Sequence, residues 1–284
     1  MQKTFVIAGA TSGIGLAVAR DIVQRGMNVI GIGRSVDRCE QASSLLQEIS
    51  TASRVRYLLA DLSLLQQVRE AAWQVRQTLP EWNIKHLDGL LNNAGTVPFH
   101  QTTTMEGFDK QWALNYLSGF LLTHLLLDDL LKAPQGRIVS VSSSSHYFAR
   151  LAWNNLQSIR CYNPLISYKR SKLAQVMFIK ELDERLSEHS NVRAFAAEPG
   201  LVNTDIGAKG DSMLMKWFWK IRRRGGISPD QAAEGIIYLL LEPTIQFSPY
   251  IYWHHSHPKK PNTLVENETA REKLWTLSKR MCEL

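Results

Sequence analysis

The chain has 284 residues, of which 44% are hydrophobic, and it carries a formal net charge of +7 with an isoelectric point near 9.3. This length and apolar content are enough for one large domain or two small ones with a sizeable core. The charge favours anionic partners such as phosphate groups, acidic lipids or nucleic acid, and it is also typical of an ordinary basic enzyme.

Cysteine usage and hydropathy exclude further classes of protein. The three cysteines, Cys39, Cys161 and Cys282, are far apart and lack metal-ligand spacing, so neither a disulfide framework nor a zinc site is expected. No apolar run approaches the ~20 residues that span a bilayer. The sequence enters an apolar strand at once, without a recognisable signal segment, so we expect a cytoplasmic location.

Short β-branched runs alternate with helical segments along the chain. Gly26 is placed to end the first helix, Ser35 to cap the second, and Ser228 with Pro229 to begin a later one. The predicted strands cover 4–9, 27–33, 55–60, 87–92, 136–142, 192–197 and 248–253, and the predicted helices cover 13–26, 35–50, 63–79, 105–132, 166–188, 228–242 and a tail at 266–284.

The predicted strands are apolar throughout rather than alternating, which is typical of parallel strands buried on both faces. Right-handed crossovers then give an α/β fold, a doubly wound parallel sheet of about seven strands with helices on both faces. No linker or change in composition interrupts residues 1–284, which predicts a single domain. Only the region after Gly200 departs from this alternation of strands and helices.

Three glycines lie between the first predicted strand and the first predicted helix. Gly9, Gly13 and Gly15 form the pattern G-x-x-x-G-x-G in the stretch IAGATSGIG. Glycines at such a turn let the backbone approach a pyrophosphate, which the positive end of the helix attracts. The pattern predicts a dinucleotide site, and the alternative is a tight turn without a ligand.

The residue at the tip of the second strand indicates which dinucleotide binds. A carboxylate there would hydrogen-bond the ribose 2′-hydroxyl of NAD, but the sequence places Arg34 at this position. A guanidinium makes charge-assisted hydrogen bonds with a 2′-phosphate. We therefore expect NADP(H) as the cofactor, and the alternative is an exposed arginine without a ligand.

Two further strand ends are predicted to face the same crevice, because ligands bind beyond the carboxyl ends of parallel strands. Asp61 follows the third strand and is predicted to meet the adenine edge or, alternatively, to cap the next helix. The sequence NNAG at 92–95 follows the fourth strand. There Asn93 is a ligand contact or simply a turn residue.

Tyr168 and Lys172 are four residues apart and so share one face of a predicted helix. A free tyrosine has a pKa near ~10 and is a poor acid–base catalyst at neutral pH. An ammonium ~4 Å away favours the phenolate by roughly 4 kcal/mol at an effective dielectric constant of ~20, before desolvation is counted. The spacing indicates an activated phenol, although it also occurs by chance in many helices.

Two polar features of the same region support the activated phenol. A run of serines, SVSSSS, ends the fifth strand, where a hydroxyl would hydrogen-bond a substrate carbonyl oxygen. Asn115 lies inside a long apolar helix, where asparagine is unfavourable unless its side chain has a partner. It is predicted to hold a water behind the lysine and complete a proton path. The alternative is a solvent-facing or interhelical hydrogen bond.

Together, AGATSGIG, NNAG, Asn115, the serine run, YKRSK and PGLVNT resemble the classical type of the short-chain dehydrogenase/reductase family over nearly the whole chain. The resemblance implies a Rossmann-type fold with Tyr168 as general acid–base and Lys172 as the residue that lowers its pKa and binds the nicotinamide ribose. It implies that Ser143 orients the substrate oxygen, since the family's catalytic serine is the second of the pair in VSS, and that Asn115 supports the proton relay. The implied cofactor contacts are Gly9, Thr11, Ser12, Gly13, Ile14, Gly15, Arg34, Asp61, Leu62, Asn93, Ala94, Gly95, Tyr168, Lys172, Pro199, Gly200, Val202 and Thr204.

Within the family, the chain resembles the branch of retinol dehydrogenases and protochlorophyllide reductases. Tyr168 follows Ser143 by 25 positions, and GFLLTHLLLDDLL and EKLWTLS match segments of that branch. Three features depart from it: Ala8 replaces a threonine, NYLSGF replaces an asparagine-histidine-leucine-glycine-histidine pattern, and Glu198 precedes PG where histidine is usual. None removes a catalytic group, but they argue against assigning retinoid specificity from the resemblance alone.

The region 203–227 is where the family's substrate loop lies, so it is predicted to be a substrate lid. Trp217 and Phe218 are predicted to contact an apolar carbonyl substrate, with Trp219 beside them, and the basic aromatic stretch 213–224 to contact acidic lipid. The alternative is a helix buried by its aromatic face. His254, His255 and His257 lack cysteine or carboxylate partners at ligand spacing, so no metal is expected.

The sequence thus predicts an NADP(H)-dependent oxidoreductase that interconverts an alcohol and a carbonyl on a lipophilic molecule such as a retinoid or steroid. The alternative is a catalytically silent dinucleotide-binding sensor or scaffold, which would not need Tyr168. No nucleic-acid reading module is recognised, so no nucleic-acid partner is expected. The resemblance further implies a homo-oligomer paired through the two long helices, and the basic aromatic stretch adds an expected peripheral contact with a membrane.

Overall fold

The fold is built on one sheet. The computed structural model describes residues 2–98, 100–160, 162–187, 190–203 and 226–284. In these residues the strands are β1 Thr4–Ala8, β2 Asn28–Gly33, β3 Val55–Leu59, β4 Gly89–Asn92, β5 Arg137–Val141, β6 Arg193–Glu198, β7 Tyr252–His254 and β8 His257–Pro258. They lie in the order β3-β2-β1-β4-β5-β6-β7-β8 and are parallel, except that β8 runs antiparallel to β7.

Helices connect the strands and cover both faces of the sheet. They are α1 Gly13–Gln24, α2 Val36–Ile49, α3 Leu65–Glu81, α4 Lys110–Trp112, α5 Ser118–Leu131, α6 Pro164–Ser187, α7 Pro229–Leu241 and α8 Glu268–Met281. A π-helical turn, Ala113–Leu117, joins α4 to α5, and short 3-10 helices lie at Ser144–Phe148, Pro243–Phe247 and Thr263–Glu266.

The doubly wound parallel sheet predicted from the sequence is confirmed. The central strands β1, β2, β4 and β5 are buried at every residue, as their apolar runs predicted, whereas β3 at the sheet edge is not. Eight strands are present among the described residues rather than about seven, because β8 has two residues and leaves no sequence pattern. The strand predicted at 248–253 is β7, which begins later, at Tyr252.

The helix predicted at 105–132 is shorter and is interrupted. It begins at Lys110, because Gly107 turns the chain with a φ of 82° and the Asp109 carboxylate accepts a hydrogen bond of 2.9 Å from Trp112 N. The two serines predicted to cap helices differ in their side-chain hydrogen bonds. Ser35 occupies the N-cap position of α2 without a side-chain bond, whereas Ser228 and Gln231 form a complete capping box on α7.

Two apolar layers sandwich the sheet, one on each face. Both pack on the same strands, and a single domain over residues 1–284 stays a prediction. One layer draws on α1, α2 and α7 and includes Val18, Ile22, Leu46 and Ile236, and the other draws on α3, α5, α6 and α8 and includes Val68, Phe120, Met177 and Leu274.

The C-terminal helix α8 packs across α5 and α6. The Trp275 ring lies 5.4 Å from that of Phe120 on α5, and the buried Arg271 guanidinium pairs with Glu181 on α6 at 3.1 Å. Part of the surface of the two long helices is therefore covered by the chain itself, and their pairing between subunits stays a prediction. Among the described residues, no helix is long and apolar enough to cross a membrane.

The packing of α7 predicts that replacing one of its glycines by alanine lowers the stability of the protein, which is opposite to the usual effect in a helix. A Cβ on Gly235 would lie 2.8 Å from the Cα and carbonyl carbon of His255, which are backbone atoms that no rotamer change can move. Alanine normally stabilises a helix by about 1 kcal/mol over glycine. We expect Gly235→Ala to destabilise the protein instead, by roughly 1–3 kcal/mol, measured as a lower Tm. The exposed neighbour variant Glu234→Ala is the control, and a Tm raised by Gly235→Ala would contradict this packing.

Candidate functional site

A crevice of about 630 Å³ opens beyond the carboxyl ends of β1, β2 and β4. Ligands bind at this edge in doubly wound sheets. Most of the predicted cofactor contacts line it: Gly9, Thr11, Ser12, Gly13, Ile14, Arg34, Asp61, Leu62, Asn93, Ala94 and Gly95. It is also lined by residues that the sequence analysis did not select, namely Ile32, Gly33, Ser35, Arg38, Ala60, Thr96, Leu114, Asn203 and Pro229.

The glycine loop forms one wall of the crevice. Gly9 and Gly13 have φ angles of 77° and 56°, a left-handed conformation that favours glycine. Gly15 lies beneath the loop rather than on its surface, where a Cβ would overlap the Gly9 carbonyl oxygen and approach Asn93 Nδ2 to 2.6 Å. Asn93 Nδ2 donates a 3.0 Å hydrogen bond to that same oxygen, so it ties the β4 end to the loop.

A half-buried tyrosine that the sequence analysis missed also holds the loop. The Tyr57 hydroxyl donates to Ala10 O at 2.9 Å, and burial raises the pKa of this phenol, which keeps it a donor. Its ring lies opposite Gly31 on β2, where a Cβ would approach the ring to 2.6 Å. The available signal was a glycine in the middle of a buried strand.

Two arginines follow β2, Arg34 directly and Arg38 in the first turn of α2. Arg34 and Arg38 both line the crevice and are exposed, so their guanidinium groups can meet an anion there. Arg38 was missed by the sequence analysis, although a second basic residue four positions after Arg34 was a usable signal. Two cations on one side of a crevice favour a phosphate over a neutral hydroxyl.

Asp61 lines the crevice close to these cations. Burial opposes its ionisation, but hydrogen bonds from Ser63 N and Oγ, at 3.0 and 2.8 Å, and the nearby charges of Lys110 and Arg34 outweigh it, so the pKa of Asp61 lies below its ordinary value. The alternative that Asp61 caps α3 is wrong, because the N-cap position is Leu64. Asp61 is therefore an anionic, half-buried acceptor at the crevice wall.

Tyr168 and Lys172 lie on α6 beside the crevice. The Lys172 amine is 5.6 Å from the centre of the Tyr168 ring and donates a 2.8 Å hydrogen bond to Val141 O at the end of β5. A Cβ on Gly95, which lines the crevice, would lie 3.8 Å from this amine. Lys172 is 3% exposed, and burial lowers its pKa to about 7.

Asn115 lies in the π-helical turn, behind Lys172. Its Oδ1 accepts from Thr96 N at 2.8 Å, and its Nδ2 donates to Thr96 O at 3.0 Å and to Ser171 Oγ at 3.2 Å. Ser171 Oγ in turn donates to Tyr168 O at 2.8 Å. The side chain thus has interhelical and loop partners, and an interhelical hydrogen bond was the alternative predicted for this residue. π-helical turns are frequent at functional sites.

The two serines of the VSS pair have different environments. Ser142 is buried, and its hydroxyl donates to Lys172 O at 3.1 Å, so it fastens α6 to β5. Ser143 is half-buried, and its Oγ accepts from Ser145 N at 3.3 Å. The buried His146 bonds the Ser143 carbonyl through Nδ1 at 2.8 Å. Among the described residues the Ser143 hydroxyl donates to no acceptor, so its proton is available to a ligand.

Glu198, which departs from the family pattern, forms a buried network at the end of β6. Its Oε2 accepts from the Tyr252 hydroxyl at 2.6 Å and from Lys259 Nζ at 3.2 Å. Burial and the neighbouring carboxylate raise the pKa of Tyr252. In the part of the chain that the structure describes, no group of three or more His, Cys, Asp or Glu is arranged to hold a metal ion.

The remaining predicted contacts follow β6. Gly200 has a φ of 78°, and Val202 pairs with Ile227 through an isolated bridge, which brings Asn203 rather than Val202 to the crevice lining. Pro199 and Gly200 are likewise absent from that lining. Thr204, Trp217, Phe218 and the stretch 213–224 lie outside the described residues.

Comparisons with known proteins show which family the chain is similar to. The family model described as short chain dehydrogenase matches residues 3–214. A polyprenol dehydrogenase of Homo sapiens is 32% identical over 100% of this chain and 85% of its own length, and retinol dehydrogenase 13 of Mus musculus is 34% identical over 99% and 84%. The fold is shared with an alcohol dehydrogenase of Thermococcus sibiricus solved in complex with 5-hydroxy-NADP, with a TM-score of 0.67, 23% identity and coverage of 92% of this chain and 99% of that one.

The family match extends over most of the chain, and the two curated relatives are similar along nearly all of it. The resemblance stated from the sequence motifs is therefore confirmed, including the similarity to retinol dehydrogenases. The chain belongs to the short-chain dehydrogenase family.

Proposed function

We propose that this protein is an NADP(H)-dependent oxidoreductase that interconverts an alcohol and a carbonyl group on an apolar small molecule. The observation that carries the proposal is the pairing of Tyr168 with Lys172, whose buried amine lies 5.6 Å from the phenol ring and beside the crevice wall at Gly95. A phenol exchanges protons near neutral pH when such a group favours its ionised form. A silent binding protein would not need this pair.

The crevice fits NADP(H) on its own geometry. The glycine loop offers backbone N–H groups and the start of α1 to the pyrophosphate, and it leaves no room for a Cβ on Gly9, which would lie 3.0 Å from Ala94 Cα. Arg34 and Arg38 would hold the 2′-phosphate, and Asp61 would face the adenosine end. The bound cofactor would supply or accept the hydride.

The protein's own residues would handle the proton. In reduction, the Tyr168 phenol donates its proton to the substrate oxygen, and in oxidation the phenolate accepts it. Lys172 in its protonated form favours the phenolate. With a pKa lowered to about 7, Lys172 also exchanges its proton near neutral pH and can pass it on. Asn115 holds the neighbouring backbone of Thr96 and the Ser171 hydroxyl in place behind it.

Ser143 is proposed to orient the substrate oxygen. Its hydroxyl donates a hydrogen bond to that oxygen, and the contact strengthens as negative charge develops there. Ser142 is unsuited to this role because its hydroxyl already binds the Lys172 carbonyl. The Ser143 backbone is fixed by His146, and burial lowers the pKa of that imidazole, so it is neutral at physiological pH.

The apolar character of the substrate is supported by the relatives. Two of the curated proteins similar to this chain are named for retinol and polyprenol, both of which are long apolar alcohols. The chain is similar to them along nearly its whole length, so a substrate of this class is the one we propose. The aromatic residues predicted to wall the pocket, Trp217 and Phe218, stay a prediction.

Removing the phenol hydroxyl separates the enzyme from a silent binding protein. We expect Tyr168→Phe to lower kcat by roughly 10²–10⁴-fold, measured by NADPH absorbance with a panel of apolar aldehydes and ketones. The Kd for NADPH, measured by fluorescence, should remain close to that of the wild type. Tyr250→Phe changes a tyrosine that is 49% exposed and whose ring takes no part in the site, and it should keep full turnover. Full turnover by Tyr168→Phe would contradict the proposal.

The two arginines at the β2 end predict the cofactor preference. Each charge-assisted hydrogen bond to a phosphate contributes roughly 1.5–3 kcal/mol, so Arg34→Ala and Arg38→Ala should each raise the KM for NADPH about tenfold to a hundredfold. The KM for NADH should change little, because NADH lacks the 2′-phosphate. Arg25→Ala, at the end of α1, is a control of the same type. A wild-type protein that prefers NADH would reject this assignment.

Burial of Lys172 predicts a pH dependence of stability. Its pKa is about 7 in the folded protein, against 10.5 for a free lysine. The penalty for burying the ammonium is fully present below pH 7 and disappears as the pH rises toward 10.5, because the unfolded chain holds the proton longer. As the pH rises above 7, the free energy of unfolding of the wild type should therefore increase relative to that of Lys172→Met, by up to about 1.4 kcal/mol per pH unit.

Urea unfolding of both proteins between pH 7 and 9.5 would measure this difference. Lys180→Met is the control, because it makes the same substitution at another lysine of the same helix, one that is ion-paired with Glu184. Parallel stability curves for the wild type and Lys172→Met would show that Lys172 is not held at a lowered pKa.

A further inference from the structure

An exposed surface of apolar and basic side chains borders Tyr168. We call it the rim surface and define it by the apolar residues Phe148, Ile159, Leu165 and Ile166 and the basic residues Arg150, Arg160 and Lys169. Phe148 is 80% exposed and the other three apolar side chains are 44–49% exposed, which is unusual for residues of this size placed together. The surface includes none of residues 213–224.

A contact within the rim surface joins Phe148 to α6. The Lys169 amine lies 5.8 Å from the centre of the Phe148 ring. Leu165 and Ile166 precede Lys169 by four and three residues on α6, so all three share one face of that helix. This face begins directly beside Tyr168.

The loop that carries Arg150, Ile159 and Arg160 is hydrogen-bonded to α6. Arg170 donates through Nε to Arg150 O at 3.3 Å and through NH1 to Asn155 O and Ser158 Oγ, at 3.1 and 2.7 Å. Ile159 and Arg160 follow directly and are exposed. The apolar and basic side chains are therefore presented together by a fixed backbone.

The segment of the chain that carries this surface has charges of one sign. No Asp or Glu occurs in the sequence between Asp129 and Glu181. The adjoining chain adds two further cations: the Tyr147 hydroxyl donates to Lys260 O at 2.8 Å, and Lys259 Nζ lies 4.9 Å from the Tyr147 ring. Lys259 is ion-paired with the buried Glu198, whereas Arg150, Arg160 and Lys169 have no ion-pair partner among the described residues.

We propose that the rim surface docks onto an anionic lipid bilayer, with Phe148, Leu165 and Ile166 entering the interface. Exposed apolar groups interleaved with cations match the acyl boundary and the acidic headgroups together. The centre of a protein–protein interface is instead depleted of charge. The biological role of this docking rests on the proposed function, because an apolar alcohol dissolved in the bilayer would then reach Tyr168 without crossing water.

The opposite edge of the sheet offers matched controls. Phe247 is 86% exposed, and it follows Gln246, which accepts from and donates to residues at the amino-terminal end of β5 and β6. Lys3 and Lys85 are exposed and precede β1 and β4 at that same end. Phe247→Ser and the double variant Lys3→Glu/Lys85→Glu thus repeat the same chemical changes on the far side of the molecule.

The test is sedimentation of the full chain with vesicles of phosphatidylcholine alone or mixed with phosphatidylserine, without substrate or cofactor. Wild type should bind the mixed vesicles, less tightly as salt rises, and bind the neutral ones weakly. Phe148→Ser should weaken binding about fivefold or more, and Arg150→Glu/Arg160→Glu by more than about tenfold. Phe247→Ser and Lys3→Glu/Lys85→Glu should bind like the wild type, with thermal melting used to check folding of every variant.

Absence of binding to anionic vesicles at low salt would overturn the proposal, as would equal losses in the rim and control variants. The result is separable from the enzymatic proposal, because Tyr168→Phe should bind vesicles normally. A protein that binds vesicles through the rim surface but turns over no carbonyl compound would refute the enzymatic proposal alone.

Discussion

The burial of Lys172 at the junction of β5 and α6 is the constraint on which the candidate site depends. Its amine donates to Val141 O, and its backbone carbonyl accepts from the Ser142 hydroxyl, so one residue ties the helix to the strand end twice. A charged amine in this place is unfavourable, which is why its pKa falls to about 7. The position of Tyr168, one turn away, is consequently set by the sheet and not by a loop.

Much of the site could be predicted because parallel strands end at one edge of the sheet. This rule alone placed Gly9, Asp61 and Asn93 around one crevice, and they line it. The π-helical turn could not be predicted, because the sequence ALNYL has the apolar character of an uninterrupted helix. Asn115 was detected only as a polar residue out of place, and its actual partners, Thr96 and Ser171, lie 19 and 56 positions away.

Two of the contacts that were missed depend on strand register. Tyr57 supports the glycine loop because it stands opposite Gly31 in the β2–β3 pairing, which no local pattern contains. Glu198 meets Tyr252 because β6 and β7 are neighbours, although 54 positions separate the two residues. Helix boundaries were off by a few residues where a side-chain cap decided them, as Asp109 does for α4.

The fastening of the loop at 150–158 has a consequence for how the protein can diversify. Arg170 holds that loop mainly through backbone carbonyl oxygens, those of Arg150 and Asn155, which any amino acid supplies. Side chains on the loop can accordingly be exchanged during evolution without moving α6. A descendant can thus carry different side chains on this loop while the placement of Tyr168 and Lys172 on α6 is inherited unchanged.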